Sequence, residues 1–165
     1  MHGLITLKNR VTGLLDPAGD WVALLPIRLL MAYEFGNAGM MKFNGKNWFA
    51  NYQENFLFPF NHVPVEISWF LATWTEILGG LCLFFGLFTR FWAFSLIILS
   101  VVAISGVHWP DDWNSLAELW KGYAITNKGF GNYRVPLLFI AMLIPLLFSG
   151  AGKMSLDSLL AKRFN

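Results

Sequence analysis

The sequence predicts an all-α integral membrane protein, a four-helix bundle with short interfacial helices in its two long outer connections. Three observations lead there. Hydrophobic residues make up 56% of the chain and charged residues only 13%, against about 25% charged in soluble domains, and the mean hydropathy is +0.50. The apolar runs reach the length a bilayer requires, roughly 20 residues at about 1.5 Å each. One of them, Ser68–Phe88, carries a glutamate, Glu76, in its middle. An ionisable group at that depth costs at least ~2.5 kcal/mol on insertion scales, so chains that carry one face it inward, pair it and use it.

The elements follow in order. The first span is expected over 21–41, with Asp20 as its N-cap. Lys8 and Arg10 precede it, but the apolar run starts only near Trp21, contains Arg28 and has no A-x-A site after it. It is therefore expected to stay as a membrane helix and not to be removed as a signal. The second span covers 67–88 and the third 91–108, and Thr89-Arg90 joins them into a tight antiparallel hairpin. The fourth covers 133–149, with Pro136 in its first turn, where a missing N–H costs nothing, and Pro145 inside, where it should kink the helix. Ser149-Gly-Ala-Gly-Lys153 then breaks the helix, and Ser155 can cap an amphipathic tail over 155–164. All 165 residues read as one membrane domain.

The two long connections, 42–66 and 109–132, fall on one side. Both are rich in aromatics, among them Trp48, Phe49, Phe56, Trp113 and Trp120. They are expected to lie at the membrane surface and to cap the bundle. With the N-terminus inside, the inner face holds Lys8, Arg10, Arg90, Lys153, Lys162 and Arg163; the outer face holds Lys42, Lys46, Lys121, Lys128 and Arg134. The excess of basic residues over a shorter loop length favours cytoplasmic N- and C-termini.

Several function classes drop out. The formal charge is +2 without a basic stripe, so nucleic acid is not an expected partner. A lone cysteine, Cys82, forms no intrachain disulfide, and no C-x-x-C, C-x-x-C-H or Cys/His cluster exists. Thioredoxin-like, c-haem, iron–sulfur and zinc readings therefore fail, no metal site is expected, and no cofactor is intrinsic to the chain. A membrane b-haem needs two ligands on facing helices, and His2 and His62 lie at the terminus and in a loop. Gly150-Ala-Gly-Lys153 fails as a phosphate loop, because Leu147 stands where the first glycine belongs and Met154 where Ser or Thr belongs.

The candidate chemistry lies with three deep ionisable residues, Arg28, Glu34 and Glu76. At 1.5 Å rise per residue, Glu34 and Glu76 reach about the same level, roughly 18–20 Å from the inner ends of their spans. Arg28 and Glu34 are about 120° apart on one helix and share no stripe. Arg28 is therefore paired with Glu76 across helices, either as a structural staple or as part of a polar site, in the two-pronged geometry that arginine and carboxylate favour. Glu34 is left for a Trp N–H, Asn37 or a water-lined cleft. Lys42, His108 and Trp109 are candidates for the outer mouth of such a site. His108 reads first as a hydrogen-bonded surface histidine, and alternatively as a proton donor or ligand. Ala32-x-x-x-Gly36 and Gly79-Gly80 allow close helix contact.

Taken in order, Arg28 with Gly39-x-x-Lys42, Glu76-x-x-Gly79-Gly80 and Gly86-x-x-Thr89-Arg90 resemble the DoxX family of bacterial four-helix membrane proteins. Val107-His-Trp and the closing run from Leu146 through Gly150-Ala-Gly-Lys-Met-Ser-Leu-Asp157 are similar to its HvfX-like branch. Glu34 and the long aromatic connections depart from the plainer family pattern. The resemblance implies a multi-pass protein of the bacterial inner membrane. Some relatives are membrane subunits of quinone-linked sulfur oxidation, and others accompany superoxide-detoxifying complexes or modified metal-binding peptides.

The expectation is an accessory subunit of a quinone-linked redox or stress and metal-detoxification system. If enzymatic, it is so only as a membrane subunit of a quinone-dependent oxidoreductase with no redox centre of its own. The expected partners are lipid, a quinone, a periplasmic or membrane protein or peptide, and a further copy of the chain. The contrasting expectation is a non-enzymatic membrane chaperone or anchor that docks a periplasmic peptide or complex through the aromatic outer connections.

Overall fold

The computed structural model describes residues 2–110, 112–124 and 131–164, and these are helical with no strand among them. Seven α-helices follow one another: α1 (His2–Val22), α2 (Leu25–Asn44), α3 (Val65–Phe85), α4 (Thr89–Ala103), α5 (Leu116–Lys121), α6 (Arg134–Ser149) and α7 (Leu156–Phe164). A π-helical turn, Ile104–His108, continues α4. Among the described residues two helices are long and apolar enough to cross a membrane, by length and composition: Val65–Phe85 and Thr89–His108. α6 is apolar but shorter, and α2 carries Arg28, Glu34 and Lys42.

α2 packs against α3, α3 against α4, α4 against α6, and α6 back against α2. The shared core is formed by residues such as Met31, Leu83, Leu96, Leu143 and Leu146, none of which retains exposed surface.

The first span departs from expectation. Residues 2–22 form a helix of their own, and α2 starts only at Leu25. Asp20 lies inside α1 and is not an N-cap. Its carboxylate accepts from Lys153 Nζ at 2.6 Å. Pro26 stands in the first turn of α2, where its lack of an N–H leaves no helical bond unmade. α1 is an amphipathic stripe and not an apolar run, so a search for long apolar runs passes over it.

α3 and α4 form a hairpin, but its joint is Gly86–Phe88 and not Thr89-Arg90, which open α4. Gly86 adopts φ +65°, and Leu87 N donates to Cys82 O at 2.9 Å while Gly86 N donates to Leu83 O at 3.1 Å. This is the six-to-one and five-to-two pair of bonds that closes a helix on a left-handed glycine. Pro136 lies in the first turn of α6 and Pro145 within it. Ser155 caps the tail helix, its Oγ accepting from Ser158 N at 3.1 Å. The connection before α3 folds as three short 3-10 turns, Phe49–Asn51, Gln53–Asn55 and Phe60–His62. In the second connection, 125–130, with Lys128, lies outside the described residues.

Candidate functional site

Glu76 does form a buried ion pair, but with Lys42. Lys42 Nζ lies 2.9 Å from Oε1 and 2.8 Å from Oε2, and the side chains are only 16% and 5% exposed. Small residues set this register. A Cβ on Gly80 would stand 2.8 Å from Gly36 N and 2.9 Å from Ala32 O, and one on Gly39 would stand 2.7 Å from Ile77 Cγ1. The α2 and α3 backbones therefore touch at these points, as small residues permit. With Gly36 opposite Gly80 and Gly39 opposite Ile77, the antiparallel pairing puts Arg28 opposite the turn at Gly86–Phe88. That is about 18 Å along the axis from the level of Glu76, at 1.5 Å per residue, and beyond a side chain's reach. The expected Arg28–Glu76 pair is thus overturned.

Arg28 instead ties down the opposite end of the fold. Its Nη1 donates to Ala151 O at 2.6 Å and its Nη2 to Met154 O at 2.8 Å. Asp157, on the same closing segment, accepts from Phe88 N at 2.7 Å and Thr89 N at 2.9 Å. These are orphan donors at the start of α4, and Asp157 caps that helix from far away in sequence. Gly86 is needed here twice: for its positive φ, and because a Cβ would meet Arg28 Nη1 at 2.6 Å and Ser155 Cβ at 2.5 Å. The family-like motif pieces fall at two separate places. Arg28, Gly86, Thr89 and the closing run form a structural knot at one end, while Gly39, Lys42, Glu76 and Gly79-Gly80 lie along the α2–α3 contact.

The Lys42–Glu76 pair lines a cavity of about 620 Å³ walled by α2, α3, α4 and α6. α3 and α4 meet closely at Gly79, where a Cβ would stand 3.1 Å from Leu96 Cδ1, and the wall they share includes Ser68, Leu71, Thr75, Ser95, Ile98 and Val102. Leu71 and Ile98 are wall residues yet 49% and 36% exposed, so the wall between α3 and α4 reaches the outer surface of the fold. On the other side Phe35 and Phe139 pack at 5.3 Å between ring centroids.

The cap comes from the connection before α3. Phe56 is buried, and its ring lies where a Cβ on Gly106 would be. Gly106 belongs to the π-helical turn, a feature that recurs at functional sites. Gln53, which sequence reasoning missed, holds the cap together. Its Nε2 lies 2.6 Å from Phe60 O, 2.8 Å from Val63 O and 3.1 Å from Ser68 Oγ. A polar residue within an aromatic-rich segment was the only signal for it.

The other expected residues divide. His108 lines the cavity, and its Nδ1 is hydrogen-bonded to Asn132 Oδ1. Trp109 packs on Tyr133 at 5.6 Å and is not a wall residue. Glu34 is half-buried, does not line the cavity and has no hydrogen-bond or ion-pair partner among the described residues. No cluster of three metal-ligating side chains occurs among the described residues.

Fold and site together define, among the described residues, an all-helical protein with two helices of membrane-spanning length and a buried ion pair in a cavity between helices. The DoxX family profile matches residues 23–109, a stretch that runs from the start of α2 through the π-helical turn and contains both Lys42 and Glu76. A relative from Haemophilus influenzae, an uncharacterized protein, is 40% identical over 144 residues, 87% of each chain. The chain belongs to the DoxX family. No solved structure matches it.

Proposed function

We propose that the protein is a multi-pass inner-membrane subunit of a quinone-linked redox or detoxification system, and that the cavity at Lys42–Glu76 receives the quinone ring. The buried pair in an otherwise largely apolar cavity carries this reading. Small-molecule sites are typically concave, mostly apolar, roughly 300–1,000 Å³ in volume and fitted with a few placed polar groups, and a cavity of about 620 Å³ falls in that range. An ammonium group has three N–H donors. Two face the oxygens of Glu76, which leaves one for a quinone carbonyl. Glu76 holds the lysine in place and, on reduction of the ring, can accept or relay a proton. Two electrons and two protons convert quinone to quinol, and the electrons come from a partner subunit. The exposed wall between α3 and α4 gives a lipid-dissolved ligand a route from the bilayer.

α2 and α6 complete the span count, giving a bundle of four membrane helices with the cap and α5 at the outer surface. Lys42 is engaged inside α2 and leaves the outer loop charge, so the basic excess at the opposite end grows and favours cytoplasmic termini. The closing run 146–157, beyond the matched region, supports the HvfX-like branch.

The test is gentle extraction from the native membrane, followed by quinone extraction and mass spectrometry alongside native mass spectrometry of the protein. Near-stoichiometric quinone, lost in Lys42→Met and Glu76→Gln, is the expected result. Absence of quinone from the folded wild type, above all with a peptide bound instead, sinks the reading.

A further inference from the structure

We infer that α1 is a membrane-surface helix that lies on anionic lipid, and that with α7 it seats this end of the protein on the negatively charged leaflet. The apolar face of α1 is bare. Leu4, Leu7, Val11, Leu14 and Leu15 are 75%, 60%, 45%, 77% and 61% exposed, and at 100° per residue they share an arc of about 100°. Charge placement says what covers it. Lys8 and Arg10 fall just outside the two edges of that arc, where their stems can run along the apolar stripe and their charges rise to headgroup level. Asp16 and Asp20 lie on the opposite side, away from lipid phosphate.

The remainder of α1 is held in the matching orientation. Asp16 and Asp20 face the crevice between α1 and the closing segment, and Asp20 pairs with Lys153 at 2.6 Å. The polar face is thus turned to the protein; of the five apolar residues, Leu15, at the edge of the arc, also borders this crevice, and Leu4, Leu7, Val11 and Leu14 do not. α7, at the same end, also carries exposed leucines and closing basic residues. Asp157 N donates to Gly86 O at 2.9 Å; Leu156, Leu159 and Leu160 are 39%, 61% and 41% exposed; Lys162 and Arg163 occupy its last turn. A helix with an apolar stripe, basic borders and little attachment to its own fold is the kind that lies in the interface plane.

The inference rests on α3 crossing the bilayer, and the experiment separates the two. The intact chain, with Cys82→Ser as background, is spin-labelled at Val11→Cys, Asn9→Cys or Leu81→Cys. It is placed in nanodiscs of phosphatidylglycerol with phosphatidylethanolamine, or of phosphatidylcholine alone. Collision with oxygen, which partitions into hydrocarbon, is compared with collision with a water-soluble nickel chelate. The label at Val11 should favour oxygen, the label at Asn9 nickel, and the control at Leu81 on α3 oxygen. Lys8→Gln with Arg10→Gln should shift the immersed-to-lifted ratio at Val11 by roughly 25-fold in anionic discs, at about fivefold per basic residue near a charged surface, and little in phosphatidylcholine. Strong nickel contact at Val11 with oxygen contact at Leu81 overturns the inference and leaves the membrane span standing. Low contact with both reagents at Val11 means that protein covers the stripe, a second copy or another chain, and also overturns it. Loss of oxygen contact at Leu81 overturns both.

Discussion

Removing one member of the Lys42–Glu76 pair should cost far more than removing both. The two side chains are 16% and 5% exposed, so solvent screens them little, and Lys42 spans both carboxylate oxygens at 2.8–2.9 Å. Glu76→Leu leaves a buried ammonium without a counter-charge, and Lys42→Met leaves a buried carboxylate. Breaking a buried pair on one side costs about 3–5 kcal/mol, whereas replacing both charges with apolar groups of similar volume is commonly neutral or stabilising. The single variants should therefore lose stability by about 3–5 kcal/mol and the double variant Lys42→Met/Glu76→Leu by less than about 1 kcal/mol, an interaction energy of roughly 5 kcal/mol or more in a double-mutant cycle. In a thermal melt this is a drop on the order of 6–20 °C for each single and near-recovery in the double, at about 2–4 °C per kcal/mol for a chain of this size. The assay is unfolding in one fixed detergent, followed by circular dichroism, with quinone content measured on the same samples. Stability should return in the double variant while quinone retention does not, because the ligand's donor is gone. A double variant as unstable as either single refutes the pairing energetics. A stable double variant that still carries quinone refutes the site.

Two further predictions concern the frame around the pair. Gly80→Ala should destabilise by about 1–3 kcal/mol, the usual cost of forcing atoms into a packed contact, because its Cβ would press on Gly36 N and Ala32 O at 2.8 and 2.9 Å. Gly36→Ala, across the same interface, should be neutral or gain up to about 1 kcal/mol of helix propensity, since its Cβ would have nothing within 4 Å; equal melting temperatures for the two variants would count against the register. Asp157→Ala should lose about 0.5–2 kcal/mol, the range for a helix N-cap, and should loosen the α3–α4 turn. Limited proteolysis at that turn and at the closing segment is the readout, and unchanged cleavage would mean that the remote cap does not hold the start of α4.

What the sequence by itself determined is local or compositional. The helix-rich fold class follows from apolar runs and low charge, the α3–α4 hairpin from two apolar runs with only a brief polar break between them, the tail helix from Ser155, and the special status of Glu76 from its being ionisable amid apolar neighbours. These depend on chemistry within a turn or two of the residue concerned. The amphipathic α1 was legible too, but only as a periodic stripe, and a search for long apolar runs passes it by.

Partner choice was decided by tertiary structure alone. Arg28 and Lys42 are both cations on the buried stripe of α2, and both are plausible mates for Glu76 as long as the offset between α2 and α3 is free. That offset is a property of two surfaces in contact, fixed where Gly36 meets Gly80 and Gly39 meets Ile77, and a sliding error of a few turns exchanges one cation for the other. The cavity is non-local in the same way. Its wall joins residues of α2, α3, α4 and α6 that are far apart in sequence, and Phe56, from a distant connection, reaches the space that Gly106 leaves open.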